Sequence, residues 1–152
     1  MAEIIGLSGY AGCGKDLFFN LFREEVHKLN KSSVARVALA DPLKEEVRDT
    51  LLQIKGIDPT CCSRDQKDSI RDTLVFYGLQ KRAETKGRYW INKATRRIAE
   101  LSEKFDFICV TDVRFNRFIR DEVPWIREEL EGKLLVIKQF VYEPDLTQVN
   151  TI

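Results

Sequence analysis

Apolar positions along this chain follow two rhythms, short unbroken runs and residues repeated at helical spacing. Ile4, Ile5 and Leu7 form a run close to the start. Leu17, Phe18, Leu21, Phe22, Val26 and Leu29 then recur every third or fourth residue, opposite a charged face of Arg23, Glu24 and Lys28. The pattern predicts a buried strand, a turn, and a helix that lays one face on a sheet. A second run over 34–40 predicts a second strand, closed by Asp41-Pro42, where Asp is suited to cap and Pro to open a helix carrying Leu43, Val47, Leu51 and Ile54. Residues 56–63 read as a loop on their Gly and Pro content. Beyond them, Ile70, Leu74 and Tyr77 predict a helix from about Asp65 that ends at Gly78, and Trp90, Ala94, Ile98, Leu101 and Phe105 predict another. The run 107–110 is a further buried strand, ending in Thr111-Asp112. Phe115, Phe118, Ile119, Val123, Ile126 and Leu130 sketch a helix interrupted at Pro124, and 134–140 reads as the last strand. The tail 141–152 has little left to pack.

Strands alternating with helices point to an α/β fold, a mostly parallel sheet flanked by helices in three layers. With 152 residues, one domain spanning 1–152 is expected, its helices at about 56–104 forming an insertion between strands two and three.

Chemistry concentrates between the first strand and the first helix. Gly9-Tyr10-Ala11-Gly12-Cys13-Gly14-Lys15-Asp16 follows the phosphate-loop spacing G-x-x-x-x-G-K, in which glycines let the backbone wrap and free N–H groups at the helix start bind phosphate oxygens. On this reading the backbone of Gly9, Ala11, Gly12, Cys13, Gly14 and Leu17, with the Lys15 ammonium, holds the phosphates of ATP. Asp16 stands where Ser or Thr usually ligates Mg²⁺; its carboxylate is also a hard oxygen ligand. The bland alternative is an ordinary glycine-rich turn. Ligands of open parallel sheets bind at the carboxyl ends of the strands, so Asp112 and Arg114 should sit beside this turn, Asp112 as a second Mg²⁺ ligand or else as a helix cap. Gln80 to Arg88 is polar and basic, either a solvated connection or a mobile element that brings arginines to phosphates.

Charge adds little direction. Lys plus Arg number 25 against 24 Asp plus Glu, so no global field draws the protein to nucleic acid or a membrane. Cys13, Cys61, Cys62 and Cys109 lack metal-ligand spacing, and the start lacks the basic and apolar regions of a signal peptide, which together suggest a reducing, cytoplasmic setting. No apolar run approaches the roughly 20 residues of a membrane span. His27 falls on the charged side of its helix and receives no role.

Read together, Gly6 to Asp16, Ala40-Asp41-Pro42-Leu43-Lys44-Glu45, Arg71 with Leu74 and Gly78, Arg88-Tyr89-Trp90 and Thr111-Asp112-Val113-Arg114-Phe115 resemble the phage-type deoxynucleoside monophosphate kinases, a branch of the P-loop kinases. The Gly-Lys-Asp ending is the discriminating detail. Where members carry Gln after the matched Leu and Gly-Thr in the next turn, this chain has Val75 and Gly78-Leu79, and the usual Asn-Glu is Asn116-Arg117. The resemblance implies a P-loop kinase fold, ATP and Mg²⁺ as cosubstrates, and a small-molecule nucleotide as acceptor. It suggests Lys15, Arg88, Arg114 and Asp41 as catalytic residues and Asp41, Lys44, Arg71, Arg82, Arg88, Trp90 and Arg114 as acceptor contacts. Two alternatives stay open. One is a kinase of hydroxymethylated pyrimidines in DNA, the only reading that brings nucleic acid in; the other is a nucleotide-binding paralogue without turnover. A guanine-reading switch is disfavoured by the lack of an Asn-Lys-x-Asp motif. Oligomeric state is open, a homodimer included, and if the gene is phage-borne the setting is the host cytoplasm.

Overall fold

In the computed structural model residues 1–140 are described, so the expectation for the tail 141–152 falls outside the described residues. β1 (Glu3–Ser8), α1 (Lys15–Asn30), β2 (Val34–Val37) and α2 (Ala40–Lys55) open the chain. α3 (Arg64–Glu84) and α4 (Arg88–Ser102) follow, then β3 (Phe107–Val113), a single turn α5 (Glu122–Pro124) that continues as a π-helical turn over Trp125–Glu129, and β4 (Lys133–Val136).

The strands form a four-stranded sheet in the order β2-β3-β1-β4, every neighbouring pair parallel. β1 is central, with Ile4 beside Ile108 and Gly6 beside Val110 in one ladder, and Leu7 beside Leu135 in the other. Interior parallel strands are covered on both faces, which is why β1 and β3 read as unbroken apolar runs. Alternate residues divide the sheet between two cores. Ile5, Leu7 and Cys109 meet Phe19 of α1, with Phe18, Phe22 and Val26 around it. Ile4, Ile108 and Val110 meet Trp90, Ile91, Ala94 and Ile98 of α4, together with Trp125 and Ile126. Helices therefore cover both faces. A third cluster, Val47, Leu51 and Ile70, joins α2 to α3.

The polar group that ties the helices between β2 and β3 together is Glu46 of α2. Its carboxylate accepts from Tyr77 of α3 at 3.0 Å, from Tyr89 of α4 at 2.6 Å, and pairs with Lys93. Burial opposes ionisation there, but these donors hold the carboxyl below its ordinary value.

Several boundaries depart from the pattern. α3 does not stop at Gly78 but runs to Glu84, after a start fixed by a Ser63–Gln66 capping box. Gly78 is buried against Leu43, whose Cδ2 would lie 3.2 Å from an added Cβ, and its carbonyl accepts from Trp90 Nε1 at 3.1 Å. The glycine serves close helix packing rather than termination. β2 ends at Val37, and α2 begins at Ala40 with Leu39 as its N-cap, so Asp41 lies inside the first turn and does not cap it. Residues 114–119 are irregular where a helix was expected, and β4 ends at Val136 rather than continuing to Phe140.

Candidate functional site

The turn between β1 and α1 is built on positions that favour glycine. Gly9, Gly12 and Gly14 have φ of 148°, 76° and 98°. At Gly9 the space is closed as well, because an added Cβ would stand 2.5 Å from the Ile137 carbonyl oxygen and 2.7 Å from Cys13 Sγ. The carboxyl end of the β4 segment thus presses on the turn, and Ile137 N–H donates to Ser8 O at 2.8 Å.

Gly14 is the N-cap of α1 and offers no side chain, so the first turn keeps its backbone donors. Phe18 N–H, bonded to Gly14 O at 2.9 Å, is the first to find a helical partner. The helix is 16 residues long, and its positive end opens on the turn. Lys15 Nζ donates to the carbonyls of Gly9 at 2.8 Å and Tyr10 at 3.0 Å, which places an ammonium over the turn that its own helix starts. Ala11, Asp16 and Leu17 are exposed; the space beside Gly12 is open, with no atom near an added Cβ, and Cys13 is half-buried. Backbone donors and an ammonium therefore meet at the carboxyl edge of the sheet, with Asp16 exposed in the first turn of the same helix, an arrangement suited to an anion.

Asp112, at the end of β3, does something else. Its two oxygens accept from Leu39 N–H at 2.7 Å and Ala40 N–H at 2.9 Å, capping α2 from 73 and 72 residues away. Burial pushes its carboxyl above the ordinary value. Asp112 thus takes the capping alternative, with one backbone N–H on each carboxylate oxygen. Among the described residues no group of three or more His, Cys, Asp or Glu could hold a metal ion. Asp112→Asn should keep one cap bond and oppose the other with an amide N–H. We expect a loss of about 1–3 kcal/mol and a melting temperature lower by several degrees, with Mg²⁺ dependence unchanged. A shift in Mg²⁺ dependence at unchanged melting temperature would return Asp112 to the metal.

The basic segment divides. Arg82, expected as an acceptor contact on a mobile element, is buried at 5% exposure. It donates to Asp121 at 2.8 and 3.1 Å and to Glu122 at 3.2 Å, and stacks 3.9 Å from the Phe115 ring. Those carboxylates also hold the loop after β3. Glu122 accepts from Arg114 N–H at 2.6 Å and Phe115 N–H at 2.9 Å, and Asp121 from Arg117 N–H at 2.8 Å and Phe118 N–H at 3.3 Å. Burial pushes the Glu122 carboxyl up to about 7 despite these donors. Arg88 is the first residue of α4, bound to both oxygens of Glu129 at 2.8 and 3.0 Å and to Arg120 O at 3.0 Å. Thus 80–84 is helix, not a loose connection, and Arg88 is held by a carboxylate.

Trp90, also expected to touch the acceptor, is 4% exposed in the core. Arg71 is exposed on α3 and pairs with Asp68 of the same helix. Asp41 pairs with Arg36 at 3.3 Å, and Lys44 is half-buried in α2. Arg114 has its N–H fixed by Glu122 while its side chain is exposed, so it remains with Lys15 and Asp16 at the carboxyl edge. Comparison with models of known protein families and with curated protein sequences finds no match. Asp121, Glu122 and Glu129 were not singled out by the sequence. An acidic pair just before Val123-Pro124 is a helix-start signature, and that signal could have found the first two.

Proposed function

We propose that the chain is an ATP-dependent phosphotransferase with a P-loop kinase fold, acting on a deoxynucleoside monophosphate to give the diphosphate. The observation that carries the reading is the glycine turn that opens α1 with uncapped backbone donors and folds the Lys15 ammonium over itself. The β2-β3-β1-β4 order supports it, because it sets the carboxyl end of β3, with Arg114, next to that turn.

Phosphoryl transfer asks the protein for position and charge rather than covalent chemistry. The Gly9–Gly14 backbone and the first turn of α1 would orient the ATP phosphates, with Lys15 leaving the carbonyls of Gly9 and Tyr10 to neutralise them. Asp16 would hold Mg²⁺ directly or through water, and the ion would supply charge compensation for the phosphates. Arg114, on a loop made rigid by Glu122, would take the acceptor or transferred phosphate.

The test is a screen of ATP-dependent phosphate transfer to each deoxynucleoside monophosphate, with DNA containing modified pyrimidines as a parallel arm. Transfer to the free nucleotides supports the reading; transfer to DNA alone, or ATP binding without transfer, replaces it. Asp16→Ser restores the commoner residue and should still lower activity, by about tenfold, and raise the Mg²⁺ needed for half-maximal rate, since a hydroxyl compensates the metal's charge less. Equal rate and equal Mg²⁺ titration would leave Asp16 without a role.

A further inference from the structure

Among the described residues, one buried side-chain polar atom forms no hydrogen bond, the hydroxyl oxygen Oγ1 of Thr111, on a residue 3% exposed at the end of β3. Native interiors rarely leave a hydroxyl in that state, because the water it gave up is not replaced. Its direction follows from the strand. Ile108 and Val110 enter the core beneath α4 while Cys109 enters the one beneath α1, so alternation sends Thr111 to the α1 side with Cys109.

Cys109 meets Phe19 there. From that contact, two strand steps of about 3.3 Å carry Thr111 toward the carboxyl edge. The four residues from Phe19 back to Lys15, at about 1.5 Å each, carry α1 the same way. Thr111 therefore lies beneath the first turn of α1, the turn whose backbone donors are uncapped. The β1–β3 register slips beside it, between Gly6 and Ser8, and irregularities of that kind re-aim side chains next to binding sites. Lys15 Nζ meanwhile spends its donors on the glycine turn itself, on the carbonyls of Gly9 at 2.8 Å and Tyr10 at 3.0 Å and on Cys13 Sγ at 3.9 Å.

We propose that Thr111 is a further binding residue of the phosphate site. Its hydroxyl is unpartnered in the free chain and gains its hydrogen bond, to a phosphate oxygen or to a water that the phosphate orders, once an anion draws Lys15 off the carbonyls of Gly9 and Tyr10. The proposal rests on the phosphotransferase reading and adds to it a residue whose bonding depends on occupancy. Asp112, the next residue, is already committed to the cap of α2, so the polar group that β3 turns toward α1 is the hydroxyl. The desolvation that Thr111 suffers in the free state is recovered only in the loaded one, and the difference appears as affinity.

Calorimetric titration of the full chain with a non-hydrolysable ATP analogue and with pyrophosphate, beside thermal unfolding without ligand, tests it on Thr111→Val and Thr111→Ser. Val suits a buried strand as well as Thr does and removes only the hydroxyl. We expect unloaded Thr111→Val to melt at or above the wild-type temperature, since no partner is left behind, and to bind both probes about tenfold more weakly. Thr111→Ser, which keeps the hydroxyl, should bind within about threefold of wild type. A hydroxyl with a merely structural role would give the opposite pattern, a lower melting temperature and unchanged affinity. Wild-type affinity in Thr111→Val, an unloaded Thr111→Val that melts well below wild type or does not fold, or Thr111→Ser as weak as Thr111→Val would overturn the proposal while wild-type binding left the phosphotransferase reading standing. Wild-type protein that binds neither probe would overturn both.

Discussion

Lys15→Ala should lower phosphoryl transfer by about 1000-fold and leave the melting transition within a few degrees of wild type, the scale expected for removing a group that meets charge in the transition state. The separation follows from where the side chain lies. Lys15 belongs to no apolar cluster, and its ammonium rests on the carbonyls of Gly9 and Tyr10 beside solvent, where water can replace it after truncation. Lys15→Arg should not rescue, because a planar fork does not reproduce a compact ammonium within a tight turn. Kinetic assay beside thermal unfolding checks both halves. Normal unfolding with near-normal transfer would reduce the glycine turn to a connection between strand and helix.

Arg82→Ala should cost about 3–5 kcal/mol and lower the melting temperature by about 10 °C, as expected when one partner of a buried ion cluster is removed. Asp121 and Glu122 would keep their buried carboxylates without the fork that joins them, and Glu122 is already pushed up to about 7 with Arg82 in place. The loss would spread to the 114–118 loop, whose backbone donors bond to the same carboxylates. Arg82→Lys should fall between the two, since one ammonium cannot serve both acids. A melting temperature unmoved by Arg82→Ala would mean that the side chain is a surface cation after all.

The apolar rhythm makes β1, α1 and β3 legible, since buried parallel strands and a one-faced helix announce themselves in local sequence. What escaped local reading is each place where a partner far along the chain decides the structure. Gly78 reads as a helix end until Leu43 and Trp90 are beside it, and then it reads as a contact. Asp41-Pro42 looks like a self-sufficient helix start, but the donors of Leu39 and Ala40 are met by Asp112. The period from Phe115 to Leu130 is helical in spacing, yet the backbone of 114–118 bonds to side chains of Asp121 and Glu122 and takes no helical form. At the site, the glycine turn was readable because its chemistry is contiguous, whereas the fates of Arg82 and Arg88 depended on carboxylates at 121, 122 and 129.

The strand order has a consequence for synthesis. β1 leaves the ribosome first, yet its ladder partners begin at Phe107 and Lys133, and the turn after it is closed by the Ile137 carbonyl. Until nearly the whole described chain has emerged, Ile4, Ile5 and Leu7 have no sheet to join. At about 5–20 residues per second, an apolar strand stays unpaired for several seconds or longer, exposed to chaperones and to neighbouring nascent chains. A chain truncated before β3 would carry the whole glycine motif and still lack the strand that holds it, so the motif alone, transplanted or released by proteolysis, has no reason to keep its shape.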